Sequence, residues 1–466
     1  MNTAARLRRA WIPLKYGVRS NTSSIQFMQY LQNLPGTQYT KLVNGLTIAT
    51  EERESYNSCV ALFVDAGSRY ESSFENGITH FFEHIAFKST RARVKPELEA
   101  QLEQVGARFK CFTTREMSVY YVECLCQDTP VATDLLTDCV FNNAFSHTEI
   151  ENQKRTVYAE MLAHDNNPEA VAYDYLHSAA FQGTPLAATV MGPSANLYNF
   201  TDATICRYLS KCFDPCRTVL VAVGGVKHEQ MVALANSYLC KLEPLKCMDI
   251  DAYRFSGSDV RFRDDSLPVA HVLAAVEAPS LIHDDYVVME VARHIVGGWD
   301  RSQPGTAKTH YSQVVRMSDT FKTCDSYKAF YINYKDCGLW GVHFVGQSKQ
   351  LDNMMGIVQD EFMYLCFCVT DTEVERAKNF YKSKILSKNE SALGTCMDIG
   401  RWTLYNGYRP SLLQKMKAVD KVTVEDVREL CEKYLYDRCL AIAAVGQVEG
   451  LYDYSRYRAR MYWLRT

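Results

Sequence analysis

No apolar run in this 466-residue chain approaches the roughly 20 residues needed to cross a bilayer. Stretches such as "SCVALFVDAG" and "CLAIAAVGQV" stop well short of that length. An excess of charge of one sign is missing as well. Lys and Arg number 51 against 54 Asp and Glu, a formal net charge of −3. That balance argues against a nucleic-acid binder, which carries a basic stripe. The 17 cysteines include no C-x-x-C pair, which removes the usual zinc-ribbon and dithiol patterns. Scattered singly, as in "CLC" and "CFC", they read as reduced thiols packed as small hydrophobes. Acid is absent from residues 1–24, "MNTAARLRRAWIPLKYGVRSNTSS", where Arg6, Arg8, Arg9, Lys15 and Arg19 stand among hydroxyls. Wound as a helix, this segment brings Leu7, Trp11 and Leu14 to one face, and its composition predicts a mitochondrial transit peptide.

What remains is an ordinary soluble composition over a length that calls for more than one core. Alternating stretches such as "TKLVNGLTIATEE" and "RFKCFTTREMSVYYVECL" predict strands, and Asn-Gly marks a turn. "KPELEAQLEQVGA" predicts an amphipathic helix with Leu98, Leu102 and Val105 on its apolar side and Gly106 as its C-terminal cap. "TPVATDLLTDCVFNNAF" and "HTEIENQKRTVYAEMLAHD" read as further helices. Periodicity fails over residues 241–259, which gather Pro, Gly, Ser and Asp and are expected to link two domains, 25–240 and 260–466. Beyond the linker the order recurs, with strands in "VAHVLAAVEAP" and "YKDCGLWGVHFVGQ" around a helix in "DDYVVMEVARHIVGG". The pattern suggests a duplicated α+β unit.

Histidine is scarce, 11 in all, yet "NGITHFFEHIAFKST" places His80 and His84 four residues apart with Glu83 between them. On a helix that spacing stands both imidazoles on one face, where they can bind a single zinc. Glu83 lies near that face but displaced, positioned to take a proton from a water rather than to ligate. This is the inverted H-x-x-E-H order. A third ligand is needed, and the helix "ENQKRTVYAEMLAHD" offers Glu149, Glu151 and Glu160. Glu160 is favoured because Val157, Tyr158, Met161 and Leu162 surround it, which predicts an inward-facing carboxylate in need of a partner. Glu290 and His294 form a similar pair in the second half, without a second histidine, and predict no metal site.

"HFFEHIAFKST", followed 76 positions after His84 by Glu160, resembles the pitrilysin superfamily of inverted zinc peptidases. Within that family it is similar to the branch shared by beta-type subunits of the mitochondrial processing peptidase and core 1 proteins of complex III. "DAGSRYE", "TTREMSVYY", "AFQGTPLA", "GGWDRS" and "YDYSRYRARMYWLRT" extend the likeness over nearly the whole chain. The resemblance implies two α+β halves, each a mostly antiparallel sheet with helices on one face, the first half a zinc peptidase domain and the second an inactive homologue. It implies zinc on His80, His84 and Glu160, with Glu83 as general base. Phe87 would line the pocket beyond the cleaved bond, Asp174 would read a presequence arginine, and the "RFKCFTTRE" strand would offer its edge to an extended peptide.

Three positions depart from the family pattern: Gln153 replaces a glutamate, Lys110 an asparagine and Ala170 an acid, though Glu169 is adjacent. Lys110 adds a cation to a groove for basic peptides. Two readings follow from the resemblance. One is a zinc metalloendopeptidase that works with an alpha-type (core 2) partner on presequence peptides in the mitochondrial matrix. The other is a core 1 scaffold among complex III subunits on the matrix face of the inner membrane, with or without activity.

Overall fold

A computed structural model describes residues 29–244, 252–303 and 312–462. The leader expected over 1–24 lies outside these residues, as does part of the expected linker. Residues 29–32 form a single helical turn, and residues 36–466 make up one compact unit.

Two six-stranded sheets carry that unit. The first holds β1 (Gln38–Lys41), β2 (Thr47–Glu52), β3 (Asn57–Val64), β4 (Arg108–Thr113), β5 (Ser118–Leu125) and β6 (Thr218–Gly224) in the order β1-β2-β6-β3-β5-β4. The second holds β7 (Asp259–Arg263), β8 (Ala270–Ala278), β9 (Gly298–Asp300), β10 (Ser326–Asn333), β11 (Gly338–Gly346) and β12 (Ala441–Gly446) in the order β7-β12-β8-β11-β10-β9. The duplication is explicit in this topology. β2-β6-β3-β5-β4 and β7-β12-β8-β11-β10 are the same five-stranded pattern, each with one parallel pair, β2 with β6 and β12 with β7. The two sheets differ at their flanks. β9 pairs with β10, whereas among the described residues nothing pairs with the outer edge of the equivalent strand β4.

The helices around the sheets include α1 (Ile78–Ile85), α2 (Thr129–Phe141), α3 (His147–Asp165) and α4 (Pro168–Ala180) in the first half. The second half has α5 (Tyr286–Val296), α6 (Leu351–Phe367), α7 (Asp371–Lys388), α8 (Ala392–Asn406) and α9 (Leu412–Lys421). Strand alternation gives each sheet two apolar faces. Val60, Leu62, Tyr120 and Leu220 meet Phe81, Phe82 and Leu136 of α1 and α2, so most of each half's own helices do lie on one face. The other face is covered by a loan. Cys396 and Ile399 of α8 pack on Ala61, Phe63 and Val221 of the first sheet. Ala172, Leu176 and Ala179 of α4 pack on Leu273, Ala275 and Ala443 of the second. At Gly400 a Cβ would come within 2.1 Å of the Phe63 ring, so the absence of a side chain sets how closely α8 lies on its host sheet.

Ion pairs reinforce the exchange, buried at Arg409–Glu51 and partly exposed at Asp336. Arg409 reaches Glu51 of β2 at 2.7 Å, and Arg69 reaches both Glu116 and Asp336 at 2.5 Å. No helix among the described residues is long and apolar enough to cross a membrane. Of the sixteen described cysteines nine are buried as expected, but Cys206, Cys216, Cys240, Cys368 and Cys439 are exposed.

Candidate metal centre

α1 is short, and its start is built from outside itself. Gly77 precedes it at φ 96°, and a Cβ there would approach the Met191 carbonyl oxygen to 2.3 Å. Glycine is therefore required on both conformational and steric grounds. The residue at the cap contributes no side chain, and Glu71 takes that role from the loop after β3. Its Oε2 accepts from the Gly77 N–H at 2.7 Å and the Asn76 amide at 2.9 Å. Its Oε1 accepts from the Thr79 N–H at 2.8 Å and the Thr79 hydroxyl at 2.5 Å. A carboxylate here satisfies orphan donors and meets the positive end of the helix dipole. Sequence reasoning gave Glu71 no role. The available signal was an acid a few residues upstream of a helix with no cap of its own. From the other side, the Cys111 thiol of β4 donates to the Glu83 backbone carbonyl at 3.3 Å and ties the strand to the helix.

The three expected ligands converge. Glu160 Oε2 lies 2.8 Å from His84 Nε2 and 3.6 Å from His80 Nε2, and the ligand atoms all fall within 4.8 Å of one another. Both Nε2 atoms are buried, and neither makes a hydrogen bond. The short His84–Glu160 approach is thus a convergence and not a directed bond. Two orphaned imidazole nitrogens and a carboxylate oxygen aimed at one point are a donor set that fits zinc with a position to spare. It is the one such group among the described residues.

Glu83 stands beside the cluster, its Oε2 3.6 Å from His80 Nδ1. Burial opposes ionisation of Glu83, yet the neighbouring His80 outweighs it and holds the carboxyl below its ordinary range. For His80, burial disfavours the cation but Glu83 and Glu160 overcome it and raise the pKa. For His84, burial and the like charge of His80 together lower it.

Glu160 arrives differently from the sequence expectation. Val157 and Met161 are buried, at 1% and 7% exposure, but Tyr158 and Leu162 are 49% and 47% exposed. The Glu160 side chain itself is 40% exposed and reaches the histidines from the open side, not from the interior. Phe87 is half-buried, its ring 5.8 Å from Phe109 and 6.4 Å from Tyr120. Lys110 is exposed on β4, between Phe109 and Cys111, which both face α1. Alternation therefore turns Lys110 to the opposite face of the sheet from the metal cluster. Asp174 is engaged inside the chain, accepting from Arg115 Nη2 at 2.6 Å and lying 2.9 Å from His164 Nε2. Glu169 lies 3.7 Å from His343 Nδ1, and Gln153 is half-buried two turns before Glu160 on α3.

Residues 47–194 match the family model "Insulinase (Peptidase family M16)", and residues 199–381 match "Peptidase M16 inactive domain". The rat cytochrome b-c1 complex subunit 1, mitochondrial, is 38% identical over 99% of this chain and 97% of its own length. The human mitochondrial-processing peptidase subunit beta is 36% identical over 97% of this chain and 93% of its own. A chain of the Candida albicans complex III2 structure with Inz-5 bound superposes with a TM-score of 0.83 at 26% identity, covering 92% of this chain and all of that one. Two family models in succession and relatives matched nearly end to end agree with the inverted motif and the paired sheets, and the chain belongs to peptidase family M16.

Proposed function

We propose that the chain is a zinc metalloendopeptidase of the beta type, cutting presequences from imported proteins in the mitochondrial matrix together with an alpha-type partner. On this reading residues 25–240 form the peptidase domain, 241–259 the linker and 260–466 the inactive homologue. The observation that carries it is the convergence of His80, His84 and Glu160 with two imidazole nitrogens left unbonded, beside an ionised Glu83.

His80, His84 and Glu160 would hold the zinc, which when bound polarises the scissile carbonyl and makes a water acidic enough to attack at neutral pH. Glu83 accepts the proton of the attacking water and returns it to the leaving amine. The open edge of β4 supplies backbone donors and acceptors to an extended peptide, as in strand addition. Phe87 borders the space beyond the cut. The expected repulsion from Lys110 is directed away from the metal face. Asp174 would receive a substrate arginine by exchanging it for Arg115 or sharing with it.

Cleavage of a matrix-targeting peptide by the chain co-expressed with an alpha-type subunit tests this directly. Glu83→Gln should retain zinc and lose roughly 10²–10⁴ in rate. A parental rate in that variant would remove Glu83 from the mechanism.

A second reading has its own support. Asp174 is already engaged by Arg115 and His164, and relatives named as complex III subunits match this chain as fully as the peptidase subunits do. A scaffold in complex III that retains the metal cradle would co-purify with cytochrome b and show no chelator-sensitive cleavage.

A further inference from the structure

The second half contains a cavity of about 810 Å³ at the place that corresponds to the metal centre of the first. α5 follows β8 as α1 follows β3, β10 is the counterpart of β4, and α7 is the second helix after β11 as α3 is after β5. All three elements line the cavity, with α8 and α9 closing it.

The chemistry there is inverted. Where the first half gathers acids and bare imidazoles for a cation, the second holds a fixed cation of its own. Arg293 donates to Glu290 Oε2 and lies 2.9 Å from His294 Nε2, so a guanidinium occupies both potential ligands. Burial, with Arg293 beside it, pushes His294 down to about 3, leaving it neutral. Around the opening, eight lining residues are Lys or Arg and two are acids. Glu290 is satisfied by Arg293 and Asp398 by Lys415 and Arg409. Among the described residues Lys328, Lys384, Lys388, Lys417 and Lys421 have no ion-pair partner. Partial burial lowers Lys384, and Arg293, Lys328 and Lys388 lower it further against the opposing charge of Glu290. The floor is aromatic: Tyr286 sits 5.7 Å from Tyr331 and 6.2 Å from Trp402.

Lys415, paired with Asp398, lies 5.2 Å over the Trp402 ring, and the lysines without an ion-pair partner flank the aromatic floor; together they specify an anion attached to a planar body. Phosphate oxygens match the lysines, and a heterocycle matches the rings. We propose that this cavity binds a nucleoside polyphosphate, base against the tyrosine and tryptophan floor and phosphates on the lysines of β10, α7 and α9. A phosphate carried by an acidic lipid would offer the lysines the same oxygens, and the vesicle probe distinguishes that source.

The test is equilibrium binding to the full-length chain, read by calorimetry, with ATP, inorganic triphosphate and vesicles containing acidic phospholipid as the three probes. ATP should bind about 5- to 150-fold more tightly than triphosphate, the range that about 1–3 kcal/mol of stacking on the rings corresponds to. The double variant Lys384→Ala/Lys388→Ala removes exposed side chains and should weaken ATP by about tenfold or more, in keeping with lost charge-assisted bonds. Trp402→Leu, checked for unchanged thermal unfolding, should narrow the gap between ATP and triphosphate. Equal affinity for triphosphate and ATP, binding indifferent to the lysine variant, or capture by vesicles with none by ATP would each overturn the assignment. None of these readouts depends on zinc or on peptide cleavage.

Discussion

Burial sets the charge state of three histidines outside the His80–His84–Glu160 cluster. Tyr334 donates to His177 Nε2 at 2.7 Å, His294 lies under Arg293, and His343 stacks on His271 at 5.4 Å. Burial drives His177 well below its ordinary value, His294 to about 3 and His343 to about 4. Unfolded, each takes up its proton near 6.5, so between that pH and the folded value the unfolded chain binds more protons. Stability is therefore full above about 6.5 and should fall toward pH 4, by roughly 1.4 kcal/mol per pH unit for each histidine. Urea unfolding at pH 7, 6 and 5 measures this, and His177→Gln should flatten the slope. A profile level from pH 7 to 5 would show that these rings ionise in place.

Residue identity was readable where chemistry is local and unreadable where it is not. His80, Glu83 and His84 declare themselves because their spacing is that of one helical turn. The apolar setting expected around Glu160 is not provided by Tyr158 and Leu162; its carboxylate meets the two imidazoles from the open side of the cluster. The partner of Asp174, Arg115, is 59 positions away, and no spacing rule links them.

At the scale of elements, α1 presents His80, Glu83 and His84 on a helix of eight residues, too few to be stable alone. It depends on Glu71 at one end and on β4 through Cys111 at the other. Glu71→Ala should cost about 1–3 kcal/mol for a cap and the donors it strands. It should also weaken zinc at least roughly tenfold, as loss of a supporting partner does. Glu71→Gln, which keeps one acceptor oxygen, should lose less. Thermal unfolding and competition with a chelator separate the two effects; undiminished metal affinity in Glu71→Ala would show that α1 needs no external cap. Most strands were visible as alternation. β10, "SYKAFYIN", was not, because lysine and tyrosine interrupt its apolar face, and β9 is too short to carry a pattern. Only pairing reveals that β9 covers the first three residues of the outer edge of β10, whereas the outer edge of β4 is unpaired among the described residues.

For the whole molecule, the exchange of α4 and α8 decides how the halves behave. Amphipathicity shows that a helix has an apolar face, not which sheet will receive it, so sequence periodicity pointed to two domains joined by a linker. Each half alone would expose an apolar sheet face, lined in one case by Ala61, Phe63 and Val221 and in the other by Leu273, Ala275 and Ala443. Expressed separately, residues 25–250 and 251–466 should aggregate. Expressed together as two chains, they should form a soluble complex, visible as a single peak on gel filtration. Two soluble, monomeric halves would show that the loan is dispensable.

The crossed packing also constrains how such a molecule could originate by doubling. A lone ancestral copy could shelter its second sheet face only by trading a helix with a twin, as a symmetric swapped dimer. Joining the twins end to end would preserve that handshake inside one polypeptide. It would also release one of the two formerly identical clefts to drift from holding a metal toward other cargo.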